Sequence, residues 1–519
     1  SDSRAEPVIL PAVSEKPSNP IPESEQVAQL QKKLAWAQLR IQQLEELLRL
    51  ERIRKYGSGS EKLSSAQLEL LEDEPGVSDL EVQAESEREP LPATASTRKH
   101  RRHPGRQELP AHLPRVERVV ACPPEQCSCP ACGQPREVIG YDQSEQLDVE
   151  PARYFVVVTK REKRACRRCE QGGVAAAPLP ARIIDKGLVS DRVVIDTVVA
   201  KYSDHIPLYR QSAILERETG LELSRATLDG WVMRVGELLI PVAKMIGREL
   251  LGNSYIQADE TPVDVQMHDR RGKNHQAYLW QYGRPGGGVM FDFRLGRGRE
   301  GPKQFLGNFE GILQTDGYSA YEHVGGPKMV HACCWAHARR HFFDAVKLHP
   351  ADAAAVAIVQ RIDELFGVDA EARAQNLDQA ARHALRQERA RPLLDLLKTE
   401  MEGARAHALP SSALGKAISY TLALWPKLTR FLDYPEVELS NNLAENSMRP
   451  VALGRKNWIH VGSPQAGPKV AAILSVVESC RRLKIPVRGY LAAVLPGLAG
   501  ISIRRLAELT PSAWISCNR

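Results

Sequence analysis

The sequence contains no apolar stretch that approaches the roughly 20 residues of a membrane-spanning helix. Its longest uncharged apolar run, Gly489 to Ile503, is short and contains Pro496. The N-terminus is polar and lacks the apolar core of a signal peptide, and ten cysteines in 519 residues are too few for a disulfide scaffold. These absences argue against a membrane protein or a secreted one, and we expect a cytoplasmic protein with no membrane partner.

A strong charge imbalance is also missing, because the formal net charge is only +6 with 26% charged residues. The whole-chain balance therefore does not indicate a nucleic-acid partner, and only local clusters of cations can do so. The length is too great for one ordinary hydrophobic core and predicts about three or four domains. We expect a multidomain α/β protein.

The N-terminal region predicts an oligomerisation helix. Residues 1–23 are rich in proline, serine and glutamate, and we expect them to be disordered. Residues 24–56 carry apolar side chains at alternating spacings of three and four, the heptad pattern of a coiled coil that would link the protomers of a homo-oligomer. The alternative is a single helix packed on its own domain. The seam consists of Val27, Leu30, Leu34, Ala37, Ile41, Leu44 and Leu48.

Residues 57–106 are predicted to form a linker that ends in a basic run. An acidic, proline- and serine-rich stretch at 73–96 is followed by cations with no acid among them. Such a run attracts phosphate by counterion release without reading base sequence, whereas the alternative is a solvated tail. The candidate DNA-binding residues of this run are Arg98, Lys99, Arg101 and Arg102.

Two CxxC pairs indicate a zinc-binding domain at 107–180. The two pairs are separated by 33 residues, which include a strand predicted at 154–158. Together they supply the four thiolates of a closed tetrahedral site, so we expect one structural Zn²⁺. A redox dithiol, the alternative, would not need a second matched pair; Cys122 and Cys127 are additional. The predicted zinc ligands are Cys129, Cys132, Cys166 and Cys169.

Residues 181–250 are predicted to be helical. A break at Thr219-Gly220 and a capping residue at Ser224 make the last two helices resemble a helix-turn-helix, with Arg225 as a candidate DNA contact. A helical hairpin that does not bind DNA is the alternative. The predicted helices cover 193–199, 208–218 and 227–239.

From residue 253 the pattern changes to short aromatic and β-branched runs. Three consecutive strands, two further strands and then helices match an RNase H-like core that has a helical insertion at 345–432. We expect this catalytic core to span 251–465 and a C-terminal helical region to span 466–519. The predicted strands are 255–258, 277–282, 289–293, 311–315 and 328–334.

Three carboxylates in this region predict a catalytic metal site. Asp259 and Asp316 each follow an apolar strand directly, and Glu445 lies at the start of a predicted helix. Carboxylates are ligands of Mg²⁺ or Mn²⁺, and two such ions about 4 Å apart can activate water and stabilise the leaving 3′ oxygen of a phosphodiester. A lone aspartate of this kind is more often a strand-end cap, but three in this order favour catalysis. The candidate DNA-backbone contacts that follow are Arg449, Arg455 and Lys456.

Several long strings of residues make the chain resemble the insertion-sequence-66 family of transposases over nearly its whole length. Two positions depart from the family pattern: Asn446 stands where arginine is frequent, and Tyr56 stands where phenylalanine is common, but neither belongs to the triad. The matching strings are Tyr56-Gly57 with Ser60–Leu63, the two CxxC pairs, Lys201-Tyr202 with Pro207–Arg210, Ala258–Pro262, Thr315–Tyr318, Cys334–Arg340, and Asn441–Glu445 continuing through Arg449-Pro450 to Gly454–Trp458.

The resemblance implies a bacterial, nucleoid-associated transposase with a leucine-zipper-like N-terminus, a zinc-binding domain and a DDE catalytic domain. The family's triad falls on Asp259, Asp316 and Glu445, with two Mg²⁺ or Mn²⁺ ions per active site. The implied activity is cleavage of element-end DNA and transfer of the 3′-OH into target DNA, beside smaller accessory proteins of the same element. The alternatives are a structure-specific nuclease that cuts without joining and an inactive DNA-binding relic.

The string Cys334–Arg340 supports more than one interpretation. His337, Arg339 and Arg340 are candidate DNA contacts near the active centre, whereas a structural role for His337 is the alternative. His331, with Cys334 and His337, is also an alternative second metal site.

Overall fold

The computed structural model describes residues 153–165, 174–178, 180–185, 187–267, 272–458 and 460–517, together with 134–135 and six positions between 31 and 44. The chain divides into a smaller unit at Ala95–Leu179 and a larger unit made of the remainder. The four predicted zinc ligands, the basic run and most of the predicted coiled coil lie outside the described residues and stay predictions. The six described positions between 31 and 44 are helical and exposed.

In the smaller unit, strand β1 (Lys163–Ala165) pairs antiparallel with β2 (Val174–Ala176). The prediction of a strand at 154–158 is wrong, because those residues have no strand pairing and their side chains are exposed. A strand needs a partner for its backbone amides and carbonyls. Strand β2 supplies that partner only to the residues of β1.

Three helices open the larger unit: α1 (Asp191–Tyr202), α2 (Leu208–Thr219) and α3 (Arg225–Leu251). The predicted break between the last two is confirmed. Gly220 ends α2 with a φ of 69°, a left-handed conformation that glycine adopts without steric strain. The Ser224 hydroxyl then accepts a hydrogen bond from the backbone amide of Thr227 and caps α3.

The third helix is longer than its sequence pattern predicts, since it continues past Leu239 and through Pro241. A proline inside a helix removes a backbone hydrogen bond and costs about 3 kcal/mol. Burial of the apolar side chains in the following turns, among them Val242, Ile246 and Leu250, offsets this cost. Tertiary packing therefore decides where this helix ends.

A six-stranded mixed sheet lies at the centre of the larger unit, with the main strand order β5-β4-β3-β6-β7. Strands β5, β4 and β3 are antiparallel, β6 and β7 run parallel to β3, and β8 pairs with the far end of β3. Four of the five predicted strands are confirmed within two residues at each end. The strands are β3 (Tyr255–Val265), β4 (His275–Gly283), β5 (Val289–Arg294), β6 (Ile312–Thr315), β7 (Val330–Cys333) and β8 (His460–Val461).

The central strand differs from its prediction, because β3 continues through Asp259 to Val265. The expectation that Asp259 ends a strand is therefore wrong. Pairing with β4 continues to Val265, opposite His275, and this ladder keeps the polar second half of β3 in the sheet.

Helices cover the sheet, and buried side chains form two hydrophobic cores. The first joins the sheet to α1, α3 and two C-terminal helices, and the second joins the helices that follow β7 to that edge strand. The helices predicted at 181–250 and 466–519 thus share a core with the sheet, and their domain boundaries stay predictions. The remaining helices are α4 (Glu300–Leu306), α5 (Trp335–Leu348), α6 (Ala353–Ala374), α7 (Gln379–Leu385), α8 (Arg391–His407), α9 (Ala413–Leu428), α10 (Asn442–Trp458), α11 (Gly467–Arg482), α12 (Val487–Val494) and α13 (Pro511–Cys517).

A buried ion pair joins helices of the insertion. Arg386, which follows α7, donates from Nη2 and Nε to the Asp369 carboxylate over 2.7 and 2.9 Å, and also to the carbonyl oxygens of Phe431 and Val437. Burial alone would raise the pKa of Asp369, but the Arg386 and Arg382 guanidinium groups lower it to about 2.

We expect Asp369→Asn to reduce the free energy of unfolding by about 3 kcal/mol at neutral pH, because a buried guanidinium would lose its counter-charge. A carboxyl with a lowered pKa stabilises the fold above its unfolded pKa of 3.8, and this contribution disappears as the pH falls toward 2. Urea unfolding across this pH range measures both effects. The exposed Glu388→Gln is the control, and an unchanged stability of Asp369→Asn at neutral pH would contradict the argument.

Candidate active site

The first predicted carboxylate, Asp259, is the fifth residue of the central strand and is half-buried. Its Oδ1 atom accepts a hydrogen bond of 2.9 Å from the Glu260 amide. Burial raises the pKa of Asp259 well above its usual value, and the negative charges of Glu445, Glu260 and Asp316 raise it further. Several acids thus lie close enough to Asp259 to repel its charge.

Asp316 comes directly after β6, the parallel neighbour of β3. The register pairs Gln257 with Gln314, so its continuation by two residues brings Asp316 level with Asp259. The chain then turns at Gly317, whose φ of 94° favours glycine. The Tyr318 amide donates to Asp316 Oδ1 over 2.8 Å, which fixes the carboxylate at the end of the strand.

Glu445 lies in the first turn of α10, and its Oε1 atom is 3.5 Å from Nε2 of His337 on α5. Burial lowers the pKa of His337, but the Glu445 carboxylate and the Cys334 thiol outweigh it and raise that pKa to about 10. The structure thus places His337 beside a predicted metal ligand. Because the histidine is a near neighbour of the acid cluster, it can orient Glu445.

The three carboxylates lie by a gap in the strand pairing along one edge of β3. Strand β6 pairs with β3 as far as Gln257, and β8 begins to pair only at Asp264. Among the described residues, no group of three or more histidine, cysteine or acidic side chains is placed so that it could hold a metal ion as it stands. A group of mutually repelling carboxylates beside an open strand edge nevertheless fits hard divalent cations, which keep water and substrate oxygens among their ligands.

The predicted DNA contacts differ in their surroundings. Arg340 on α5, Arg225 at the start of α3 and Lys456 on α10 are exposed. Arg455 is half-buried and donates a hydrogen bond to the carbonyl oxygen of Pro262 on β3, which places it near the carboxylates. Arg449 is also half-buried on α10.

The structure argues against one of these contacts. Arg339 is 1% exposed, and its guanidinium forms a two-bond ion pair with Asp363 of α6, at 2.6 and 3.0 Å. It projects from α5 into the second hydrophobic core and stabilises the packing of two helices. Its sequence context, between DNA-binding candidates, could not reveal on which side of α5 it lies.

The alternative second metal site also lacks support. The His331 Nε2 atom lies 2.9 Å from the Thr315 hydroxyl, and burial lowers the pKa of His331 to about 4. The Cys334 thiol accepts a hydrogen bond from the Asn441 amide. His331 and Cys334 therefore serve to connect β6, β7 and the start of α10, and they form no metal cage among the residues described.

Sequence reasoning missed an acid and a base beside the predicted triad. Glu260 forms an ion pair of 2.7 Å with Arg297 and accepts a hydrogen bond of 3.0 Å from the Tyr321 hydroxyl. The signal available was the Asp259-Glu260 pair itself, since adjacent strand residues point to opposite faces and β3 therefore carries an acid on each face at this point. Nothing in the sequence indicated that Arg297 would be the partner.

Comparison with protein families covers most of the chain. The model described as Transposase IS66 family matches residues 186–469. The zinc-finger binding domain of transposase IS66 matches 126–170, and a model described as Transposase C of IS166 homeodomain matches 43–118. The matched segments therefore include the sheet, its three carboxylates and both CxxC pairs, which indicates an enzyme that modifies nucleic acid.

The first of these matches extends over more than half of the chain, and the chain belongs to the IS66 family of transposases. It is also similar to three uncharacterized proteins of Sinorhizobium fredii. The protein y4jD is 35% identical over 423 residues, which are 78% of this chain and 81% of the relative. The protein y4qI is 33% identical over 91% of this chain and 89% of the relative, and y4hP is 33% identical over 80% and 78%.

Family membership confirms several expectations at a coarse level. The matched domains support a zinc finger, a transposase implies DNA binding, and the catalytic family suggests the use of a divalent metal. The described part of the chain contains no helix that is long and apolar enough to span a membrane.

Proposed function

We propose that this transposase cuts the DNA at the ends of its element and transfers the freed 3′-OH into target DNA, through a two-metal site on an RNase H-like core. The observation that carries the proposal is the electrostatic coupling of Asp259, Asp316 and Glu445 beside the gap in β3. The strand order, with three antiparallel strands followed by two parallel ones, supports an RNase H-like core.

Each carboxylate has a distinct role in this proposal. Asp259, on the central strand, would bridge two Mg²⁺ or Mn²⁺ ions, while Asp316 and Glu445 would each hold one of them. The ions supply a lowered pKa for the attacking oxygen and stabilise the leaving oxygen. His337 orients Glu445 by a polar contact and thereby keeps the third ligand in place.

The reaction consists of two displacements at phosphorus. In the first, a water oxygen forms a bond to the scissile phosphorus and the 3′ oxygen of the element end leaves. In the second, that 3′-OH attacks a phosphodiester of target DNA and displaces the target's own 3′ oxygen. Arg340, Arg449, Arg455 and Lys456 would hold neighbouring phosphates, since cations oriented in advance stabilise the charge that develops in the transition state.

The other parts of the chain would bind DNA and assemble the complex. The basic run at Arg98–Arg102 would contact phosphates without reading sequence, and Arg225 at the start of α3 would contact DNA through the helix-turn-helix. Smaller proteins encoded by the same element are proposed as partners.

A strand-transfer assay with the element's own ends and Mg²⁺ tests the proposed function. Joined products would support transposition. Cleavage without joining would favour a structure-specific nuclease, and DNA binding with neither reaction would favour an inactive relic.

The N-terminal seam leads to a separate prediction about assembly. We expect deletion of residues 1–60 to lower the oligomer mass in light scattering while the catalytic core stays folded, because Val27 to Leu48 would form the coiled coil between protomers. A variant with Leu34 and Ile41 both changed to lysine should do the same, whereas Lys33→Ala at the same helix is the control. An unchanged mass after deletion would show that the protomers assemble elsewhere.

A further inference from the structure

A cation is held beside the carboxylates by contacts that the proposed chemistry does not use. Arg297 lies in the segment 295–299 between β5 and α4, where Gly296 and Gly298 flank it and no acid occurs. Its Nη2 and Nε atoms donate to Glu260 Oε1 over 2.7 and 3.0 Å. Because Glu260 follows Asp259 in β3, the ion pair ties this segment to the strand that carries the first proposed metal ligand.

Aromatic rings hold the same guanidinium from another side. Its central carbon lies 4.1 Å from the ring centroid of Tyr318 and 5.9 Å from that of Tyr278. The Tyr318 hydroxyl donates to the Arg297 carbonyl oxygen over 3.2 Å, and the Tyr318 amide donates to Asp316. Arg297 is therefore connected both to the neighbour of Asp259 and to the turn that carries Asp316.

The two partners of the ion pair differ in exposure. The Glu260 side chain is 2% exposed, whereas that of Arg297 is 46% exposed. A buried acid needs a counter-charge, and the Arg297 guanidinium supplies it to Glu260. Glu260 accepts hydrogen bonds from the Nε and Nη2 atoms of Arg297. The Nη1 atom of Arg297 donates no hydrogen bond to any described residue. One edge of a fixed planar cation thus faces solvent next to the active site.

We propose that Arg297 is a phosphate-binding residue of the active site, held by Glu260 and Tyr318 to contact a DNA phosphate next to the scissile one. The inference rests on the proposed function, which brings DNA to these carboxylates. A guanidinium matches the geometry of phosphate oxygens, and a side chain ordered in advance loses less conformational entropy on binding. The contact would add a cation to the DNA-binding surface from the segment that precedes α4.

The double substitution Glu260→Gln/Arg297→Gln tests this role without leaving a buried unpaired charge. We expect element-end duplex DNA, with Ca²⁺ in place of Mg²⁺, to bind about tenfold more weakly at low salt. The slope of log affinity against log salt concentration should become shallower by about 0.9, the value for one phosphate contact. Arg297→Lys keeps the charge opposite Glu260, and hence the fold, but should still lose severalfold affinity because it lacks the fork.

Arg299→Gln is the matched control, since it removes a cation from the same segment at an exposed side chain. It should leave the salt slope unchanged. Replacing the phosphate next to the scissile bond with a neutral methylphosphonate should weaken binding by the wild type but not by the double variant. If the double variant keeps the wild-type slope and the same sensitivity to that replacement, Arg297 only anchors the segment and the proposal is overturned. Wild-type DNA affinity in Arg297→Lys would also overturn the proposal.

The two proposals can fail separately. Asp259→Asn reports on the catalytic assignment through cleavage, whereas the salt slope in Ca²⁺ reports on Arg297 when no cleavage occurs. Retained cleavage in Asp259→Asn would contradict the proposed function. An unchanged salt slope in the double variant would contradict only the proposed phosphate contact of Arg297.

Discussion

Asp259→Asn, Asp316→Asn and Glu445→Gln are each expected to reduce cleavage and strand transfer by about 10³-fold or more, while binding of element-end DNA persists. Each substitution keeps the shape of the side chain and removes the ligand charge that a hard cation requires. The expected loss is large because both displacements depend on electrostatic stabilisation of the same phosphorus centre. Gel-based cleavage and joining assays, run beside a DNA-binding measurement, separate the loss of chemistry from a loss of substrate.

The outcome for Glu445→Gln is the most informative, because near-normal strand transfer would mean that another acid is the third ligand. The structure narrows the choice of that acid. Glu438 is held by Arg373 and Arg382 at 2.6 and 2.8 Å. Glu478, on α11, is buried and paired with Arg481. Glu260 is likewise paired with an arginine, Arg297, over 2.7 Å, but of these three acids it is the one adjacent to Asp259 in β3, so it would be the residue to test.

A matched control for the triad is an acid that lies outside the cluster. Glu322 lies six residues after Asp316 in the chain and forms an ion pair with Lys427. The substitution Glu322→Gln removes its carboxylate charge. It should leave cleavage within about threefold of wild type, since a partly exposed ion pair outside the acid cluster contributes only about 0–1 kcal/mol. Loss of activity in this control would mean that the catalytic measurements report on folding.

Replacement of either proposed zinc pair by serine is expected to abolish zinc binding, from about one zinc per chain to none. Structural zinc contributes about 10–16 kcal/mol of apparent binding free energy at neutral pH in small zinc domains, which is also folding free energy. The smaller unit should therefore lose its cooperative unfolding and become sensitive to protease. Metal analysis of the purified full-length chain, together with limited proteolysis, measures both effects.

The additional cysteines provide the control for the zinc prediction. Cys122→Ser and Cys127→Ser should keep the zinc content, because the proposed tetrahedral set is complete with Cys129, Cys132, Cys166 and Cys169. If Cys127→Ser lost the metal and Cys129→Ser kept it, Cys127 would replace Cys129 in the ligand set. A metal-free chain with an intact smaller unit would contradict the zinc site altogether.

Elements with strong local periodicity could be predicted from the sequence. Four strands, the break at Gly220 and the capping role of Ser224 follow from side-chain alternation, glycine and a hydroxyl, which act over a few residues. The family could likewise be identified from short strings, and the matches to three family models confirm it. The end of α3 could not be predicted, because burial of side chains beyond Pro241 outweighs the local effect of a proline.

The site shows the same division between local and tertiary effects. Local sequence singled out Asp259, Asp316 and Glu445 as candidate ligands, but only the parallel pairing of β3 with β6 brings the first two level with each other. A carboxylate's pKa and a side chain's exposure depend on residues far away in the chain, and no local pattern encodes them. Tertiary structure alone therefore decided that Arg339 is buried against Asp363, whereas Arg297 is held at the surface by Glu260.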